Sequence, residues 1–185
     1  AIYLAGHSEG SLISIVAAQR IQVDGLVSIA GSGIKAGDLV EKQLSGLIKH
    51  AELKKRALRA NNQLKKGKLV PDVDIELYFI FNPITQPYLI EWYKYNPVSE
   101  IKKITVPVLI LQGDNDLQVG VDNAKKLNKA VKKSKLVIIK NMNHVLKSVE
   151  SKERKDNLKT YFDREMDIMP EVASAIAEFI AGQKK

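Results

Sequence analysis

Apolar positions along the chain fall into short runs separated by helical spacings. Ile2 to Ala5 form an apolar run ending at Gly6, and Leu12, Ile13, Val16 and Ala17 then recur every three to four residues. That pattern predicts strand, sharp turn and helix. Val23 to Ala30, rich in β-branched residues and closed by Gly31-Ser32-Gly33, predicts a second buried strand. From Asp38 to about Lys66, Val40, Leu44, Leu47, Ile48 and Ala51, then Leu53, Ala57 and Leu58, mark one or two amphipathic helices. Lys65-Lys66-Gly67-Lys68 and Pro71 stop them. Asp72 to Tyr95 gathers most of the aromatic residues. Strand texture returns at Val106 to Gln112 and at Lys135 to Lys140, with a helix over Val121 to Lys133 between them. Pro170 to Ala181 opens on a proline and carries Val172, Ala173, Ile176, Phe179 and Ile180 on one face, which predicts a last helix. Strands alternating with helices predict an α/β fold with a parallel sheet of about four strands. Residues 1–34 and 97–185 form that core, and 35–96 enter it as a helical insertion.

Composition narrows the picture. A chain of 185 residues, 45% apolar and 27% charged, is sized and composed for one folded domain or a little more. The excess of 29 basic over 21 acidic residues, net +8, raises the question of an anionic partner. The cations are mostly Lys, scattered in pairs such as Lys54-Lys55 and Lys132-Lys133. Specific nucleic-acid recognition leans on the Arg fork, so the expectation is a solvated exterior and no nucleic-acid partner. With no Cys, disulfides, zinc ribbons and a thiol nucleophile are excluded together. No apolar run of about 18 residues offers a membrane span. Ala1 to Ala5 lack the features of a signal peptide, and without an initiator Met the natural start is expected to lie upstream.

The sharpest chemical signal is Gly6-His7-Ser8-Glu9-Gly10, a G-x-S-x-G between a predicted strand and a predicted helix. Glycines permit a strained turn that lifts Ser8 off the sheet, and the helix starting there aims N–H groups at developing negative charge. A serine nucleophile needs a histidine base, itself oriented by a carboxylate. Three histidines are available. His7 is expected to pack on the turn and His50 to be solvated in the Lys-rich insertion. His144, just past the strand ending near Lys140, lies where carboxyl-end loops of a parallel sheet gather reactive groups. After the third strand, Asp114 is placed in a tight turn where it bonds its own backbone. Asp116 is placed further out, able to reach a neighbouring loop, and Asp122 in the first turn of a helix. The chain order is then Ser8, Asp116, His144.

On these residues the chain resembles the α/β-hydrolase family, and within it the capped bacterial esterases and serine-aminopeptidase-like hydrolases. The resemblance rests on Gly6-His7-Ser8-Glu9-Gly10-Ser11, Gln86-Pro87-Tyr88-Leu89-Ile90, Pro107 to Gly113 with Asp116-Leu117-Gln118-Val119, and Asn141-Met142-Asn143-His144-Val145-Leu146-Lys147. It implies that the strand before Ser8 is the fifth of eight, that the insertion is a cap after the sixth, and that the chain is the C-terminal part of a longer protein. The family's G-x-x-D pattern places the acid on Asp116. The family's oxyanion hole uses the N–H after the nucleophile, here Glu9, and a second from an earlier loop that the chain does not contain.

The reading that follows is a serine hydrolase cleaving carboxylic esters through an acyl-enzyme on Ser8, with His144 as base and Asp116 as orienting acid. Its rivals are the same chemistry on an amide and a non-catalytic binding protein of the same fold. Glu76 and Glu91 are available for a substrate amine but are expected to be surface charges. Tyr78, Tyr88 and Trp92 are expected to line an apolar substrate pocket. Neither a metal nor an organic cofactor is expected, and the partner is a small ester or amide. Without a complete oxyanion hole, and with an open sheet edge beside Ile2 to Leu4, the chain alone is expected to be inactive and poorly stable.

Overall fold

The computed structural model describes Ala1 to Gln183. Four strands, β1 (Tyr3–His7), β2 (Gly25–Ile29), β3 (Val108–Gly113) and β4 (Ser134–Ile139), form one sheet in the order β1-β2-β3-β4. Every pairing is parallel, with Gly6 opposite Ser28, Ser28 opposite Ile110 and Ile110 opposite Leu136. The chain divides into two compact units. One comprises Ala1–Gly33 with the chain from Pro97 onward and holds the sheet; the other is Ile34–Asn96.

Strand side chains alternate between faces, so each strand feeds two cores. Leu26, Val108 and Ile110 point to one side, where α1 (Glu9–Ala17), α6 (Pro97–Ile101) and α7 (Val121–Ala130) contribute Ile15, Ile101, Ala124 and Leu127. Their neighbours Val27, Ile29, Leu109 and Leu111 point to the other, where α9 (Pro170–Ala181) brings Val172, Ala175 and Phe179. Helices on both faces explain why β2 and β3 are buried along their whole length and read as continuous apolar runs.

The second unit is all helical: α2 (Ala36–Leu47), α3 (Ala51–Lys65), a 3-10 turn (Ile75–Leu77), α4 (Tyr78–Phe81) and α5 (Gln86–Lys94). Leu44, Ala57, Leu64, Leu77, Phe81 and Leu89 form its core. Two buried amides tie it together. Asn61 donates to the Gly37 carbonyl and accepts the Tyr93 hydroxyl at 2.9 Å. Gln86 donates to the carbonyls of Val70 and Phe81 while accepting the Val70 N–H.

Element ends depart from the sequence pattern where hydrogen bonds override hydropathy. β1 runs on past Ala5, because Gly6 and His7 still pair with Ser28 and Ile29. α7 stops at Ala130, since Val131 is already extended on the way into β4. α6 and α8 (Arg154–Lys159) are too short to leave a periodic signal.

The two motif glycines are not equivalent. A Cβ on Gly6 would sit 2.0 Å from the Gly10 carbonyl oxygen and 2.6 Å from Ser14 Oγ, whereas a Cβ on Gly10 meets nothing described within 4 Å. Gly6 thus lets α1 fold back tightly on β1. Gly6→Ala should therefore unfold the chain or strongly lower its melting temperature. Gly10→Ala, in the first turn of a helix, should leave stability unchanged or raise it by up to about 1 kcal/mol, measured by denaturant unfolding.

Candidate active site

β1 ends directly in the turn that carries Ser8. Ser8 adopts φ 56° and ψ −118°, a conformation costly for a residue with a side chain. Its N–H donates to the Ile29 carbonyl at 2.8 Å, which ties the turn to the end of β2. α1 begins at Glu9, so the Glu9 N–H is among the first-turn donors that a helix cannot satisfy internally. Burial pushes the Glu9 carboxyl above its ordinary range. Beneath the helix, Ser11 and Ser28 share a buried hydroxyl–hydroxyl bond of 2.6 Å, joining α1 to β2.

His144 lies on the loop after β4, and that loop is closed on itself. Met142 bridges Ser148, the Val149 N–H donates to the Asn141 carbonyl, and the Asn143 N–H donates to the Lys147 carbonyl. Asn141 and Leu146 take up positive φ to make the reversal. Buried Asn143 pins the loop: its Oδ1 accepts the N–H groups of Val145 and Lys147, and its Nδ2 donates to Thr160 Oγ1 at 2.6 Å. A methyl on Gly113, at the end of β3, would lie 2.1 Å from the Met142 carbonyl oxygen, so that glycine lets the loop approach the strand.

Ser8, His144 and Asp116 form one hydrogen-bonded line. Ser8 Oγ is 3.0 Å from His144 Nε2, and His144 Nδ1 is 2.8 Å from Asp116 Oδ2. The Asp116 carboxylate only accepts, so Nδ1 carries the imidazole proton and Nε2 is left to accept from Ser8. The Asp116 side chain is fully buried and that of His144 nearly so. Asp116 Oδ1 accepts the N–H groups of Gln118 and Val119, and Oδ2 accepts a further bond from Gln112 Nε2 at 3.0 Å. Such a site can hold an ionised carboxylate, orient an imidazole and withdraw a proton from a serine hydroxyl.

Several expectations need correction. Asp114 does not bond its own turn; its Oδ1 accepts the Asn141 N–H at 2.6 Å and so fastens β3 to the loop of His144. The carboxylate that closes a local turn is Asp116, which does so with one oxygen while the other faces His144. His7 is more than packing: its Nε2–H donates to the His144 main-chain carbonyl at 2.8 Å, and the two rings lie 4.9 Å apart. His50 is exposed, but it also caps α3, its Nδ1 accepting the Leu53 N–H. Asp122 sits in the first turn of α7.

Tyr78, Tyr88 and Trp92 belong to the helical unit. There Tyr78 and Tyr88 are exposed, Tyr88 stacks on Trp92, and Trp92 packs against the unit's own core. Glu76 is exposed, and Glu91 is exposed and pairs with Lys94. The supporting polar residues Gln112, Asn157 and Thr160 carried no sequence signal, since a buried amide looks the same in a sequence as a solvated one. Asn143 was visible only as the neighbour of His144.

Residues 75–168, about half of the chain, match the prolyl oligopeptidase family. Among curated proteins, the chain is 26% identical over 159 residues to the esterase EstD of Thermotoga maritima, covering 82% of this chain and 36% of that protein. The chain thus spans little more than a third of that relative. Among solved structures, Est1E from Butyrivibrio proteoclasticus superposes with a TM-score of 0.54 at 21% identity, over 97% of this chain and 61% of its own. MenH from S. aureus gives 0.51 at 20%, over 100% and 70%. These likenesses bear on the fold, and with the parallel sheet flanked by helices they make it an α/β-hydrolase fold without its N-terminal strands. By the match that spans half of its length, the chain belongs to the prolyl oligopeptidase family.

Proposed function

We propose that the chain carries the nucleophile, base and acid of a serine hydrolase acting on carboxylic esters. The observation that carries this reading is the line Ser8 Oγ to His144 Nε2 at 3.0 Å and His144 Nδ1 to Asp116 Oδ2 at 2.8 Å, set on a strained strand-to-helix turn. In the first half-reaction Ser8 Oγ bonds to the ester carbonyl carbon while His144 Nε2 takes its proton. The tetrahedral oxyanion meets the Glu9 N–H, and the alcohol departs with the proton that His144 held. In the second, water loses a proton to His144 and attacks the acyl group, and the proton returns to Ser8. Asp116 keeps Nδ1 protonated and balances the imidazolium charge in both. The helical unit, Ile34–Asn96, is proposed as the cap.

The likeness to an esterase supports an ester substrate. Membership of a peptidase family supports a second reading, the same steps on an amide. A panel of short-chain esters against aminoacyl and prolyl amides separates the two by their ratio of kcat/KM.

An organophosphonate should attach once to the full-length protein, at Ser8, as read by peptide mass mapping. Labelling that survives Ser8→Ala would contradict the assignment. Asp116→Asn should lower kcat by about 10⁴-fold, the size of the same tautomer error in serine proteases. Asp114→Asn should cost far less in kcat and act mainly on stability, because Asp114 only fastens one loop to another. The reverse ranking in steady-state kinetics would assign the acid to Asp114.

A further inference from the structure

His7 is the first variable position of G-x-S-x-G and the last residue of β1. Its role differs from that of its neighbour Ser8. A main-chain carbonyl can only accept, so the 2.8 Å contact with the His144 carbonyl fixes the His7 proton on Nε2 and leaves Nδ1 unprotonated in the neutral ring. This bond runs from the nucleophile's own strand to the main chain of the residue that carries the base. That loop is also held from the end of β3, where Asp114 accepts the Asn141 N–H and the Asn115 N–H donates to the Met142 carbonyl, and from the later segment, where Thr160 accepts from Asn143. The two imidazole rings are 4.9 Å apart and tilted by 48°, close enough for a charge on one to be felt by the other.

Resting on the reading of His144 as the base, we infer that His7 is a positioning residue. It clamps the His144 main chain to the end of β1, and it keeps an uncharged ring beside the imidazole that must become cationic during turnover. A clamp at the peptide of His144 acts on where Nε2 points, and small errors in that direction are costly in rate. Neutrality matters for a different reason. The tetrahedral step needs an imidazolium at His144, and a second cation 4.9 Å away would oppose it. The groups that bear on His7 are His144 and Asp116. Desolvation is the largest influence and lowers the His7 pKa, the bond to the His144 carbonyl raises it, the His144 charge lowers it and Asp116 raises it, with a net shift downward. His7 is therefore neutral at pH 7, which leaves His144 free to charge.

Two substitutions separate the clamp from the charge. His7→Gln keeps an N–H donor at the reach of Nε2 and cannot be charged. His7→Phe keeps the ring and removes the donor. Turnover is counted per phosphonate-labelled site, so loss of folded protein does not enter. His7→Phe should lower kcat roughly tenfold with KM unchanged, the scale of one lost hydrogen bond, and His7→Gln should recover most of that loss. The chain has three histidines, so the His7 Cε1–H resonance can be followed individually against pH by NMR. It should titrate below the range of an ordinary imidazole, because desolvation is the largest influence on it. Equal kcat in His7→Phe and His7→Gln would overturn the inference. So would a His7 that titrates above the ordinary range, because it would put a cation beside His144 at pH 7. If the full-length protein neither labels nor turns over, the hydrolase reading fails, and the His7 titration still tests the inference by itself.

Discussion

A carboxylate with no access to water is the constraint around which the carboxyl end of this sheet is organised. The Asp116 side chain is fully buried, and an ionised carboxyl group there costs several kcal/mol unless donors surround it. They do: Gln118 N–H and Val119 N–H on one oxygen, Gln112 Nε2–H and His144 Nδ1–H on the other. Each donor constrains a different piece of chain. The two N–H bonds fold the loop after β3 into its turn. Gln112 must aim its NH₂ at Asp116 because its neighbours, the carbonyls of Gly113 and Val119, are also acceptors. Its Oε1 is left without a partner among the described residues, a local cost of about 1–3 kcal/mol that the pairing of Asp116 offsets. The fourth donor pulls in the loop after β4.

The strain at Ser8 is held by the sheet in the same way. A serine at φ 56° is costly by about 1–3 kcal/mol, and it persists because its N–H is bonded to the end of β2 while Gly6 lets α1 close over β1 without a clash. The parallel register then does the geometric work. β1, β2 and β3 end side by side, so the turn after β1 and the loop after β3 emerge at the same edge, and the loop after β4 arrives beside them.

Much of the fold was legible because its signals are local. Strand and helix textures alternated, Pro170 marked the start of α9 and the apolar runs of β2 and β3 reflected burial on both faces. Among the candidate site residues, Ser8 was legible from its strand-turn-helix context, and His144 from its place after β4. The role of Asp114 was misread because its partner, Asn141, lies 27 residues away, and nothing in a sequence reports that two loops will meet. His7 was misread for the same reason: its bond spans 137 residues. The polar scaffold of Gln112, Asn143, Asn157 and Thr160 was invisible because amides and hydroxyls acquire a role only once burial removes water as the alternative partner.

The central claim is that Asp116 and His144 form a charge-assisted bond that fixes the imidazole tautomer beneath Ser8. The low-field proton NMR spectrum of the chain reads that bond directly, through the His144 Nδ1–H. A strongly deshielded resonance, protected from exchange with water and absent in Asp116→Ala, is the predicted result. A spectrum without such a proton, or one that keeps it in Asp116→Ala, would contradict the claim.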